Sequence, residues 1–350
     1  MGVNSNIEWT DATFNPWRGC TKVSAGCANC YADTLSKRNP GVLGVWGPNG
    51  TRVVAAEAQW ALPVKWNRDA GIAFDKYRCG GGPNKPPYER PRVFCASLSD
   101  VFEGWQGDVR NSAGQKVWAT PNGVWMASSP IDFHGNPIEP DRQPNPDVKP
   151  LTMQDVRSRL FALIDATPNL NWLVLTKRPE NIARMMPEYP TTGGVHPNLW
   201  LGVSVENQHA AAERIPHLLK VPAKVRFLSC EPLLSAVDLS PWLVTDMRAE
   251  SGGISQPNQI HWVIAGGESG PNARPMNPAW ARSIRDQCVA VGVAFHFKQW
   301  GEYGPEQTKS VAFTPVYSGV PMDPPAPMFR VGKVAAGRTL DGRTWDEVPT

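Results

Sequence analysis

Three cysteines stand close together near the N-terminus, in the run NPWRGCTKVSAGCANCYA, with six residues between Cys20 and Cys27 and two between Cys27 and Cys30. Three thiolates on one short loop can hold three irons of a four-iron cluster and leave the fourth iron open to a small chelating ligand. Gly19 and Gly26 permit tight turns there, so backbone amides can turn toward the cluster sulfides. The same thiols can instead hold zinc with a distant fourth ligand, or stay unligated. Cys79, Cys95 and Cys288 lack ligand spacing and read as inert core residues. Seven cysteines is an odd number for a disulfide framework, and a metal or redox role for a subset fits better.

A second set of polar residues recurs at the ends of short apolar runs. Asp100 follows RVFCASL, Lys177 and Arg178 follow WLVLT, and Glu206 follows LWLGVSV. Glu231 follows VRFLSC, Glu268 follows HWVIAGG, and Lys298 with Gln299 follows VAFHF. Any one of these carboxylates can be a helix cap; six strand ends in succession point to one shared site. Gly266 and Gly267 let a backbone approach a ligand closely, and Glu268 can accept hydrogen bonds from an ammonium group. Cys230, beside Glu231 at the same mouth, is a candidate hydrogen-atom donor or radical relay. Lys177, Arg178 and Arg274 can bind an anionic group such as a phosphate. His296 and the tryptophan of HFKQWGEYG read as structural.

These residues need a scaffold that brings strand ends together. Strands are expected at Asp11–Asn15, Arg92–Leu98, Trp172–Thr176, Leu199–Val205, Val225–Ser229, His261–Ala265 and Val293–Phe297, alternating with helices at Ala28–Arg38, Thr152–Asp165, Pro179–Met186, Gln208–Leu219 and Pro278–Val291. Such alternation predicts an α/β fold, a partial (βα)6 TIM-like barrel over 1–304 with chemistry at the C-terminal strand ends. Two Gly-, Pro- and Trp-rich stretches, about 39–91 and 102–150, read as loop insertions at its mouth, and 305–350 as an irregular extension. The net charge of +3 over 350 residues is too small to argue for nucleic acid. The N-terminus lacks a signal-peptide pattern and no run approaches about 18 apolar residues, so a cytoplasmic protein with no membrane partner is expected.

The loop Asn15–Ala32 resembles the cluster-binding loop of radical S-adenosylmethionine enzymes, most closely the NP-aromatic-RGC start and C-Tyr-Ala finish of spore photoproduct lyase relatives. Those enzymes usually have three residues between the first two cysteines and an aromatic before the third; here there are six residues, and Asn29. The segments SLSDVFE, LTKRPENI, LGVSVEN, LSCEPLL, GGESGPNARP and FKQWGE are similar to an uncharacterised phage and bacterial family assigned to the same type. The resemblance implies a 4Fe-4S cluster on Cys20, Cys27 and Cys30, with S-adenosylmethionine on the open iron. It implies cofactor contacts from Ser99, Asp100, Ser204, Glu206, Gly266, Gly267 and Glu268, leaving Cys230, Glu231 and Lys177 as catalytic candidates. The expected reaction is reductive cleavage of S-adenosylmethionine to a 5′-deoxyadenosyl radical. The expected substrate is a nucleotide or nucleic-acid base to be modified or repaired, and the expected electron donor is a flavodoxin- or ferredoxin-like protein. From a different class, the chain can be a non-enzymatic iron–sulfur or zinc-binding interaction protein on a barrel scaffold.

Overall fold

The computed structural model describes residues 5, 7–80, 85–127, 147–188, 195–243, 259–305, 316–318 and 326–349. Its centre is one seven-stranded, all-parallel sheet whose strands follow sequence order: β1 (Ala12–Thr13), β2 (Arg92–Cys95), β3 (Asn171–Thr176), β4 (Leu199–Ser204), β5 (Val225–Cys230), β6 (Trp262–Gly266) and β7 (Ala294–Gln299). Each expected strand is present, with ends shifted by a few residues.

The expected (βα)6 barrel is not formed. β1 and β7 lie at opposite edges without pairing, and the sheet curls into an open half-barrel. The helices also break the expected repeat. α1 (Tyr31–Arg38) and α2 (Glu57–Cys79) both fall between β1 and β2, α3 (Met153–Asp165) follows β2, α4 (Gln208–Leu219) follows β4, and α5 (Pro278–Val291) follows β6. Among the described residues, β3 is followed only by a 3-10 turn and the four-residue helix Ile182–Met185, and β5 only by the 3-10 turn Ser240–Trp242.

Local chemistry sets the helix ends. Thr152 and Asp155 exchange hydrogen bonds as a capping box at the start of α3. Asn207 Oδ1 accepts from Ala210 N–H at the start of α4. In α5, Asn277 caps, Pro278 follows it in the first turn, and Gly292 closes the helix in the left-handed region.

Period-2 alternation sorts the strand residues between two cores. Outward residues such as Trp172, Val203, Leu228, Cys230 and Phe295 pack under the helices. Inward residues Phe94, Leu173, Trp200, Phe227, Trp262 and Ile264 join Trp9 in an aromatic-rich cluster that fills the concave side. Trp9 stacks edge-on against Phe94 at 4.7 Å and Trp262 at 6.1 Å. These rings fill the bottom of the half-barrel, which leaves space for a cavity above them.

The stretch 39–91, expected as an insertion loop, carries the 23-residue α2, whose Trp60 and Trp66 are buried in the core. In the second insertion, short strands at Val117–Ala119, Trp125–Ala127 and Lys149–Pro150 form a small sheet, while 128–146 lie outside the described residues. The C-terminal segment covers the β7 edge: Phe297 N–H donates to Trp345 O at 2.9 Å, and Trp262 Nε1 to Glu347 O at 2.8 Å. Covering that edge removes a row of unpaired backbone groups.

Candidate active site at the C-terminal strand ends

A cavity of about 490 Å³ opens at the C-terminal end of the sheet. Cys20, Cys27 and Cys30 all line it, as do Ser99, Asp100, Lys177, Ser204, Glu231, Gly267 and Glu268. Cys230, Glu206 and Gly266 do not. Alternation explains Cys230: Ser229 and Glu231 face the cavity, so Cys230 between them turns outward into the helix-facing core with 0% exposure. Burial pushes its thiol well above the usual range.

Three clasps hold the cysteine loop. At the β2–β3 side, Glu103 accepts from Thr21 N–H at 2.8 Å and from buried Arg52 through Nε at 2.7 Å and Nη2 at 2.9 Å. Arg178 donates to Thr21 O at 2.7 Å, to Asp100 at 2.8 Å and to the Cys20 sulfur at 3.7 Å. At β4, Glu206 accepts from Gly26 N–H at 3.3 Å and from Arg214 at 2.8 Å. At β6, Glu268 accepts from Asn29 Nδ2 at 3.1 Å and from Arg274 on both oxygens, while Arg274 also donates to Ala25 O. Gly19 sits at φ +116, and a side chain there would meet Thr51 O at 2.4 Å, so this first turn requires glycine.

Electrostatics follow from these pairings. Burial, then the charges of Asp100 and Glu103, push the Cys20 thiol up to about 12, against the pull of Arg178. Burial raises Glu206, but the Ser24 hydroxyl and Arg214 outweigh it and hold the carboxylate below its ordinary range. Glu268 behaves alike: burial is opposed by Arg274 and Asn29, with a net lowering.

The opposite wall is built from β3 to β7. Lys177 Nζ donates to Ser204 Oγ at 3.1 Å and enters no ion pair among the described residues. Lys298 Nζ bridges both oxygens of Glu231 at 2.7 and 3.0 Å, and Gln299 Nε2 reaches Glu231 at 3.3 Å and Ser269 Oγ at 3.2 Å. Gly267 is required by close approach, since a Cβ there would lie 1.9 Å from the Trp300 carbonyl oxygen.

Among the described residues, no three His, Cys, Asp or Glu side chains converge on one ion position, as zinc with sulfur at about 2.3 Å demands. A four-iron cluster sends each thiolate to a different iron, so its cysteines must share a cavity wall rather than a point. The three thiols line one cavity, and three thiolates are the kind of donor set that such a cluster takes.

Residues 4–127 and 149–349 match the family model described as Protein of unknown function (DUF5131). The chain belongs to that family. No curated protein and no solved structure matches it. The one internal stretch of this DUF5131 chain outside the match, 128–148, falls within the second insertion, and the match takes in all seven strands and the cysteine loop.

Several site residues of the DUF5131 chain carry no readable sign in its sequence. Glu103 and Arg52 form a buried pair behind Thr21, and Asn29 ties the loop to Glu268. Glu103 lies three residues beyond Asp100 in SLSDVFE, a spacing that could have marked it; Arg52 sits in an insertion with no pattern around it. Arg274, read as an anion binder, is committed to Glu268, and Glu206 and Glu268 serve the loop.

Proposed function

We propose that this chain is a radical S-adenosylmethionine enzyme acting on a nucleotide or nucleic-acid base. The observation that carries the proposal is that Cys20, Cys27 and Cys30 line one cavity together with Lys177, Ser204, Glu231, Lys298 and Gln299. Cys20, Cys27 and Cys30 hold the cluster; when bound, it supplies the electron that cleaves the sulfonium of S-adenosylmethionine.

The chain's own groups orient and enclose. Lys177, fixed by Ser204 and in no ion pair among the described residues, holds an anionic group of the cofactor or substrate. Arg178 stabilises the Cys20 thiolate once its proton has left. Glu206 and Glu268 keep the loop in place by accepting from Gly26 and Asn29. The apolar floor of Trp9, Phe94 and Leu175 excludes water from the reacting atoms.

Exposed Val23, Tyr31, Leu35, Val42 and Val45 lie in the cysteine loop, α1 and the segment after it, with Lys22 and Lys37 beside them sharing the single carboxylate of Asp33, which leaves one positive charge over. Such a surface suits an acidic one-electron donor protein of flavodoxin or ferredoxin type. No helix among the described residues is long and apolar enough to cross a membrane. A reducing cytoplasm, in a bacterial host cell for a phage-encoded chain, suits unpaired thiols such as partly buried Cys20, Cys27 and Cys30.

Anaerobic reconstitution tests the proposal. The expected product is a brown protein with about four irons per chain whose spectrum shifts on adding S-adenosylmethionine, with 5′-deoxyadenosine released faster when DNA, RNA or nucleotides are present. Cys27→Ala should lose the colour. A colourless protein, or cleavage unaffected by every nucleic-acid substrate with none of them altered, overturns it.

A further inference from the structure

We infer that the β6–β7 end of the cavity reads the hydrogen-bonding edge of a nucleobase, with Gln299 as the acceptor and Lys298 as the donor. The inference rests on the cavity being the reaction site.

Consecutive strand residues ordinarily face opposite sides, yet Lys298 and Gln299 both line the cavity. A register shift accounts for this. Ala265 pairs with Phe297, whereas Gly266 pairs with Gln299, leaving Lys298 as the extra residue of a bulge. Bulges of this kind re-aim side chains beside sites.

The two side chains are left with one unmet group each. Gln299 is 5% exposed, and its Nε2 must point to Glu231, because a carboxylate can only accept. That orientation leaves Oε1 buried with no donor among the described residues. Lys298 spends its ammonium protons on the two Glu231 oxygens, and an ammonium carries a third. A free acceptor therefore stands beside a free donor.

Charge narrows the ligand. Lys298 and Glu231 neutralise one another, and Lys333, which also lines the cavity, lies 4.0 Å from Glu8, so the Lys298–Gln299 pair offers no surplus charge to a phosphate or an ammonium group. A neutral ligand with a donor next to an acceptor is required. The floor below, with Trp9 and Phe94, favours a flat ring. A nucleobase edge has this pattern and shape. It can come from the adenine of S-adenosylmethionine or from a substrate base.

Calorimetric titration of the anaerobically purified protein with S-adenosylhomocysteine, guanosine, uridine and ribose 5-phosphate tests the assignment. At least one base-bearing ligand should bind roughly tenfold or more tightly than ribose 5-phosphate, and Gln299→Leu should weaken it about tenfold. Binding confined to S-adenosylhomocysteine assigns the cofactor's adenine; binding of guanosine or uridine assigns a substrate base. Ribose 5-phosphate binding as tightly as every nucleoside, or unchanged binding by a folded Gln299→Leu, overturns the inference. The wild-type ranking decides the matter even where the variant fails to fold. Iron analysis after anaerobic reconstitution tests the cluster separately, since nucleoside binding by a protein that takes up no iron would sink the proposed function and leave the assignment of Lys298 and Gln299 standing.

Discussion

Arg178 holds one guanidinium nitrogen 3.7 Å from the Cys20 sulfur and, through the same nitrogen, 2.8 Å from Asp100. The cation thus balances two buried carboxylates and lowers the cost of a neighbouring thiolate. Arg178→Met leaves buried Asp100 without its counter-charge, while Glu103 keeps Arg52, and should cost about 3–5 kcal/mol in urea unfolding. Burial, with Asp100 and Glu103 nearby, already pushes the Cys20 thiol up to about 12. Its alkylation at pH 9, followed by mass spectrometry, should slow further in a folded variant; an equal rate would mean that Arg178 does not act on the sulfur.

Glu268 and Arg274 form the clasp most open to titration. The Glu268 carboxylate is held below its ordinary range despite burial. Its stabilising effect is therefore complete above the ordinary carboxylate range and disappears as pH falls through the lowered folded-state value. Glu268→Gln should cost about 2 kcal/mol at pH 7, and the gap from wild type should close on acidification. Urea melts at neutral and acidic pH check the sign.

His296 lies on β7 at 2% exposure, edge-on to Trp262 at 6.1 Å, with neither ring nitrogen hydrogen-bonded among the described residues. Burial and then Arg338 push its pKa down to about 4. Folding favours the neutral ring, so its contribution is intact above the unfolded-state pKa near 6.5 and is lost as pH falls toward 4. Wild type should lose up to about 3 kcal/mol across that window relative to His296→Phe. Equal slopes for the two proteins would refute this.

Gly267→Ala drives a methyl group into the Trp300 carbonyl, which is backbone and cannot swing away. The β6–β7 junction must shift, at a cost of about 2 kcal/mol. Thermal unfolding should show a lowered melting temperature, whereas Gly270→Ala, at a position with open space but φ +106, should pay only for backbone strain.

The strands and the polar residues at their ends were legible because apolar β-branched runs such as WLVLT and VRFLS have few other uses. Closure was not legible. Whether β1 pairs with β7 depends on accumulated tilt and stagger across seven strands, and no single run encodes that. Helix α2 was hidden by Pro63, a residue that usually ends helices but here lies within one. The roles of Glu206 and Glu268 were hidden for a different reason. Their types and positions could be read, but their partners Gly26 and Asn29 lie 180 and 239 residues away in the chain. The bulge at Lys298 has no sequence sign at all, since it exists only relative to β6.

The three clasps on the cysteine loop have a thermodynamic consequence. Glu103, Glu206 and Glu268 order the loop through bonds that involve no cysteine sulfur. The conformational entropy of presenting three thiols to one cavity is thus lost during folding, not at ligand capture. In that respect the loop is unlike a small zinc module, where metal binding and folding are a single event. Cluster insertion into such a site should resemble docking into a finished receptor, with the scaffold standing before and after.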